Sequence, residues 1–405
     1  MSVIDSEGSE LEPRSHGVGR RGFLRSTGMG VLTVVVAGTG VISYRAYDNR
    51  VLDPDRGTAF DAWRNWRDDP GPRGVIAAAI LAASPHNIQP WLFQLNGNRV
   101  DVHADTARRM VSVDPYSRER NVGLGCAVEN MMLAARARGM APTCTLRPDA
   151  AQPALVARVD LGAGSPQPSE LHDAIGNRHS NRGPYTADAV DQGTLSQLGA
   201  VADPTADAPA TVAWVTGDAR NTLGQLMIDA AKAVTADQDQ SRDGFVWFRS
   251  SASDIERYKD GLTLDGQGLS AALTSAAKML PASSRQEGDQ FWVDQTRTVH
   301  TATAAAYGFV LVPDPHDPVQ QLTGGRLLQR IHLAITAHGL GMQHMNQITE
   351  RIDRDQSLNR SSPFAAPLAA LVSRPGSQVL ATFRLGHPQR DPRLSPRRPV
   401  SEVLR

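Results

Sequence analysis

Two short stretches carry the residue types that do chemistry. Ser84-Pro85-His86-Asn87-Ile88-Gln89-Pro90-Trp91 places two amides, Asn87 and Gln89, where the backbone must turn after an apolar run. Each amide offers one carbonyl acceptor and two N–H donors, the complement needed to read a planar heteroaromatic edge on which carbonyls and nitrogens alternate. The other reading of this stretch is an Asn-capped turn with Trp91 plugging a core. Arg178-His179-Ser180-Asn181-Arg182 suits a phosphate. Arg178 can give a bidentate charge-assisted pair of hydrogen bonds, Ser180 adds a hydroxyl donor, Arg182 stays charged at any working pH, and His179 contacts through its backbone or ring. By itself this stretch reads equally as a basic surface turn.

The elements around them follow from periodicity and punctuation. Asp61 to Arg67 puts Trp63 and Trp66 on one helix face, stopped by Asp69-Pro70-Gly71-Pro72. Gly74 to Ala83 is a buried helix that delivers the first stretch at its end. Two alternating runs about Asn96-Gly97, ending near His103, form a hairpin, and His103 and Asp105 read as surface residues. Arg118 to Arg138 is a helix stopped by Gly139, and Gly123 and Gly125 thin its start so that a helix or cofactor could come close. Strands follow at 143–146 and 155–159, and a helix from Leu171 to Asn177 leads into the second stretch. Beyond the surface connection 203–209 come a strand at 211–215, a helix from Asn221 to Ala236 and the aromatic cluster Phe245, Trp247 and Phe248. A pliable connector near Gly266, a strand at 307–312, a helix from Pro318 to His338 and a last strand at 379–386 complete the pattern, with Phe291 and Trp292 read as packing.

Composition bounds the function. Lys plus Arg and Asp plus Glu both number 42, so no long-range field favours nucleic acid. Cys126 and Cys144 make neither a metal set nor a disulfide framework and read as free thiols. At 405 residues there is chain enough for two modest domains.

The first stretch resembles the Pro/Ser-x-x-Asn-x-Gln-Pro-Trp loop of the nitroreductase family, and the second resembles that family's Arg-Arg/His-Ser-x-Arg/Lys clamp. The resemblance covers roughly residues 75–403 and is closest to the Acg-like single-chain subgroup. It implies an α+β fold with mixed sheets wrapped by helices, and an FMN site built from Ser84, Pro85, Asn87 and Gln89 with Arg178, His179, Ser180 and Arg182. Ordinary members are homodimers that carry the clamp before the loop and share each site between chains. Here the order is reversed, with no clamp before residue 84 and no second loop after residue 182. The implication is two fused half-copies, 51–165 and 166–405, forming a monomeric pseudo-dimer with one FMN. Leu133 to Met140 and Leu333 to Leu340 match in a leucine, two alanines and a glycine, a faint trace of duplication.

Further site residues come from the same resemblance. Met345-Asn346-Gln347 falls where family members bring backbone near flavin N5, making Asn346 a candidate, although the acidic residue that often precedes a glycine there is missing. The tail from Pro396 to Val403 resembles the terminal basic segment, so Arg397 or Arg398 would close over the FMN phosphate. Phe245, Trp247 and Phe248 fall on the excursion that covers the flavin face, as lid or substrate-stacking groups, with core packing as the alternative. The implied activity is NAD(P)H-dependent reduction of a nitroaromatic, quinone or similar planar small-molecule acceptor, the flavin itself carrying the chemistry. A catalytically silent FMN-sequestering protein with a lid over the ring is the second reading.

The N-terminus reads as an address. Arg20-Arg21-Gly22-Phe23-Leu24 before an apolar run resembles a twin-arginine export signal, with residues 1–50 as signal or N-terminal anchor. The expected location is export, or anchoring at the outer face of a membrane through this segment alone, with the cytoplasm as the alternative. Nicotinamide nucleotides are scarce outside the cytoplasm, which leaves room for a quinone-linked donor.

Overall fold

The computed structural model describes residues 48–201, 210–372 and 374–405. The twin-arginine stretch and the connection at 203–209 lie outside the described residues. Among the described residues no helix is long and apolar enough to cross a membrane.

A short helix, Asp61–Asn65, is followed by α1 (Gly71–Ala79). The Pro-Gly-Pro run does not only stop one helix. It opens the next, because Pro72 falls in the first turn, where a missing N–H has no intrahelical acceptor to lose. The Asn96-Gly97 pair makes the hairpin of β1 (Trp91–Asn96) and β2 (Arg99–Ala104), with Asn96 opposite Arg99 and Gly97 at φ 58°. His103, expected at the surface, is buried because β2 is an inner strand, flanked by β1 on one side and by another strand on the other. Helix α2 (Arg118–Ala137) ends at Gly139, φ 77°, and β3 (Met140–Leu146) and β4 (Leu155–Ala163) complete an antiparallel sheet of order β1-β2-β4-β3.

The second half contributes β5 (Thr211–Val215), α3 (Ala219–Ala236), α4 (Gln238–Phe245), α5 (Arg285–Gln295), β6 (Ala306–Val312), α6 (Pro318–Ala337), β7 (Gly341–His344), α7 (Gln347–Ser357) and β8 (Gln378–Gly386). Its sheet runs β5-β6-β8-β7, again antiparallel throughout. Both sheets therefore stand first, second, fourth and third strand side by side. In both, a 20-residue helix joins the second strand to the third. The class is α+β.

The two long helices run side by side in the same direction through the centre. Their contacts are polar and paired: Asn121 Nδ2 donates to Gln321 Oε1 at 2.7 Å, Gln329 Nε2 to Asn130 Oδ1 at 2.8 Å, and Glu129 receives Arg326 at 2.9 Å and Arg330 at 2.7 Å. A buried carboxylate with two guanidiniums fixes register, because a shift along either helix would strand a charge. Of two backbone bridges made by the connecting segments, one stays in the second half and the other, from the C-terminal tail, crosses between halves. Ser180 makes a parallel bridge to Met342 at the edge of β7, and Leu404 makes one to Phe93 on β1. Neither Cys126 nor Cys144 is in a disulfide.

Candidate functional site

The loop at 84–90 is wound tightly. His86, Asn87 and Gln89 all have positive φ, 44°, 55° and 51°, a conformation that L-residues adopt only when surrounding bonds hold it. Those bonds are the amides. Asn87 Nδ2 donates to Gly261 O at 3.1 Å and Pro396 O at 2.9 Å, and its Oδ1 accepts from Arg397. Gln89 Nε2 donates to Lys259 O at 2.8 Å, its Oε1 accepts from Arg398 N at 2.9 Å, and its backbone N–H donates to Ser84 Oγ at 3.1 Å. Both side chains thus pin the C-terminal tail and the 259–261 turn to the loop. The expectation that they read a ring edge is not what their contacts show, since every polar atom of the Asn87 amide is occupied by the chain itself.

The loop, the 178–182 stretch and the tail converge on one group of guanidiniums. Arg178 Nη2 donates to Leu81 O at 3.0 Å and Arg397 Nη2 to Ala82 O at 3.3 Å, consecutive carbonyls just past α1, so the two heads are neighbours. Arg397 also lies over the Trp63 ring at 4.7 Å, the His179 ring stands edge-on to the same indole at 4.4 Å, and Trp63 Nε1 donates to Ser395 O at 2.7 Å. Arg178 is 2 % and Arg397 3 % exposed, and neither has a carboxylate partner among the described residues. Nε of each is buried without a partner. Burial lowers Arg178 to about 10; burial and the Arg178 charge hold Arg397 well below the ordinary guanidinium range. Two buried like charges without counter-ion are what an anion would relieve. Arg398 is directed elsewhere, with Nη2 on Glu402 O at 2.9 Å and Nη1 3.9 Å from Asp105.

Beside this seat opens a cavity of about 940 Å³. Ser84, Pro85 and His86 form one wall, Ser180 and Arg182 a second, and His344, Asn346 and Gln347 a third. Cys126, whose thiol burial raises to about 12 and which therefore stays protonated, lies between the cavity and Arg178. Gly123 lets the loop reach the wall: a Cβ there would meet Pro85 at 3.2 Å and Ser84 at 3.3 Å. Arg182 donates to Gly266 O at 3.1 Å and is lowered to about 10 by burial. Asn346 Oδ1 is committed to Thr382 N at 2.8 Å. Burial first, then the arginine charges, hold His86 at about 4, with His179 and His344 at about 3, so all three are neutral at physiological pH.

Of the aromatic cluster, Phe245 and Phe248 line the cavity; Trp247 does not. Its indole packs against Ile88, Met110 and Val113, with Arg108 and Arg249 near its ring. Phe291 and Trp292, read as packing, line the cavity instead. Sequence reasoning also missed His86, His344, Glu119, Glu350 and Trp63. Lone polar residues on apolar helices carry no local signal of a cavity that forms only when distant segments meet.

No protein-family model matches the chain, and no curated protein does. Solved structures similar to it include the FMN- and NADPH-dependent nitroreductase NfnB of sphigopyxis sp. strain HMH (19% identity, 58% of this chain and 97% of that one, TM-score 0.37). The FMN-dependent nitroreductase NfnB of Mycobacterium smegmatis gives 16%, 58%, 97% and 0.36. The NADPH:FMN oxidoreductase of Vibrio harveyi gives 15%, 58%, 76% and 0.32. Overlaps this slight leave the chemistry of the site to the chain's own residues.

Proposed function

We propose that the chain is an FMN-binding oxidoreductase of nitroreductase type, holding one flavin with its phosphate between Arg178 and Arg397 and its ring in the adjoining cavity. The observation that carries this reading is the pair of buried guanidiniums without a carboxylate among the described residues, set behind Ala83, Ser84 and Cys126, which line a cavity whose about 940 Å³ admits a flavin and a second planar molecule. When bound, FMN supplies the hydride or electron transfer itself. The chain's part is to seat the phosphate, to offer Ser180 and Arg182 toward the ring, and to cover it with Phe245, Phe248, Phe291 and Trp292. Asn87 and Gln89 act at one remove, by fixing the tail that carries Arg397. NAD(P)H, or a quinone-linked donor, is the electron source and a nitroaromatic, quinone or similar planar compound the acceptor.

The repeated strand order and the crossing C-terminal tail support two fused nitroreductase-like half-copies, arranged as an Acg-like pseudo-dimer with one surviving site. Arg20-Arg21-Gly22-Phe23-Leu24 supports twin-arginine export of the loaded, folded protein. The four aromatics over the cavity favour one competing reading, sequestration of FMN without turnover.

The visible spectrum and FMN content of purified wild type, Arg178→Ala and Arg397→Ala test the reading. One FMN per wild-type chain, absent from each variant, is expected; independent losses of half would overturn the single site, and no flavin after reconstitution would overturn the family reading. Adding NADPH without oxygen separates the rest. Bleaching identifies a reductase, whereas a flavin that only dithionite reduces decides for sequestration or another donor.

A further inference from the structure

Glu119 opens α2 and Glu350 lies in the first turn of α7; both line the cavity, and they are only 6 % and 8 % exposed. Their carboxyls are close enough to act on each other's charge, and two carboxyls buried together in this way keep a proton between them. The surroundings require that proton. Asp114 stays close as the cap of α2, accepting from Glu119 N at 3.1 Å and Arg120 N at 2.9 Å. Asp353 follows on α7 and pairs with Arg118 at 2.7 Å, the single cation facing the pair among the described residues. Behind Asp353 stands His316 at 3.4 Å. From α4, Gln240 Nε2 meets Glu350 O at 3.4 Å, and Asp243 is engaged by Ser112 N and Val113 N. Arg351 is spent on Asp237, Gln240 and Asp355. Four carboxyls around one guanidinium in a buried site cannot all ionise. Burial is the main cause that raises Glu350 to about 7 and Glu119 well above the carboxylate range.

The same wall holds an unused donor. Gln347 is 3 % exposed, lines the cavity, and its Nε2 is buried without a partner. Glu119 Oε1 is likewise buried without one. A carboxylic O–H and an amide N–H beside each other fit an uncharged oxygen and repel a carboxylate.

We propose that Glu119, Glu350 and Gln347 form the acceptor subsite, taking an uncharged quinone or nitro oxygen and passing it the proton shared by the two carboxyls as the acceptor is reduced. The electrons rest on the flavin reading above. A quinone that gains a hydride from the reduced cofactor becomes a hydroquinone monoanion, and the carboxyl proton makes it the neutral hydroquinone. A nitro group that gains one hydride and one proton leaves as nitroso and water. The carboxyl pair, then one proton short, is refilled from solvent.

The test uses the full-length, oxidised protein with 2-methyl-1,4-naphthoquinone and no electron donor, so that binding is read without turnover. Equilibrium dialysis should show wild-type affinity falling about tenfold between pH 6 and pH 9 as the O–H donor is lost. Glu350→Gln, an isostere that keeps a donor at all pH, should flatten that profile, and Glu119→Gln should remove a protonated-carboxyl band from the infrared spectrum. Gln347→Leu should weaken binding at every pH. An unchanged pH profile in Glu350→Gln, or unchanged affinity in Gln347→Leu, overturns the proposal. Flavin content, measured on each sample, separates the two failures: flavin present with unchanged profiles sinks the subsite alone, and flavin absent from wild type sinks the functional reading.

Discussion

Gly125 and Gly325 face each other where the two long helices are closest. A Cβ on Gly125 would lie 2.1 Å from Leu322 O, and one on Gly325 would lie 2.2 Å from Val122 O. Backbone rather than flexible side chain occupies each space, so the helices can relax only by moving apart and breaking the Asn121–Gln321 and Gln329–Asn130 bonds. Gly125→Ala and Gly325→Ala should each cost about 3 kcal/mol in urea unfolding. The double variant should cost less than the sum, because one separation accommodates both methyls.

The seat between Arg178 and Arg397 should respond to a bare anion. Protein stripped of flavin should gain several degrees in melting temperature in millimolar inorganic phosphate over the same ionic strength of chloride, by preferential binding to the folded state. Arg397→Ala should lose that gain while keeping its response to chloride.

Melting temperature should depend on pH in two opposed ways. His86, His179 and His344 are held at about 4, 3 and 3 when folded, so the unfolded chain takes up their protons first, near 6.5. Their contribution is present above 6.5 and lost as pH falls below it. Glu350 is held at about 7 against an ordinary 4.5, so its contribution is present below 4.5 and lost as pH rises through 7. Calorimetry should find stability rising from pH 5 to about 6.5 and then falling to about pH 7 as the Glu350 contribution is exhausted. Glu350→Gln should remove the decline and leave an acid limb, since none of the three histidines is among the groups that shift Glu350.

Asn87→Ala should act through the tail. It leaves Gly261 O and Pro396 O without that donor and Arg397 without that acceptor, a loss of about 3 kcal/mol for buried groups. Limited proteolysis should then release the segment after residue 387 well before wild type does, with FMN content falling in parallel. Retained flavin with an intact tail would refute the indirect role.

Local rules read well here where local chemistry decides. Asn96-Gly97 gave its hairpin, Gly139 and Gly339 ended their helices, and Gly123 and Gly125 marked close approaches. The motif stretches did come together, yet the contacts of Asn87 and Gln89 could not be read in advance, because the same amide donors that would suit a ring edge suit Pro396 O and Lys259 O, residues some 300 and 170 positions away. Trp247 and Trp292 exchanged places for the same reason: an aromatic's neighbours are set by tertiary packing. The Glu119–Glu350 pair had no signature, since a carboxylate at a helix start ordinarily reads as favourable charge at the dipole.

The crossing C-terminal tail sets an order of events during synthesis. Leu404 bridges Phe93, and Asn87 finds its acceptors and its guanidinium only among residues 261 and 396–397. The nascent first half therefore leaves the ribosome with its loop unmoored, and Arg178 stands without Arg397 until the tail has been made. On the proposed reading, flavin loading follows synthesis of the tail, and a chain truncated before Arg397 should keep both motifs and hold no flavin.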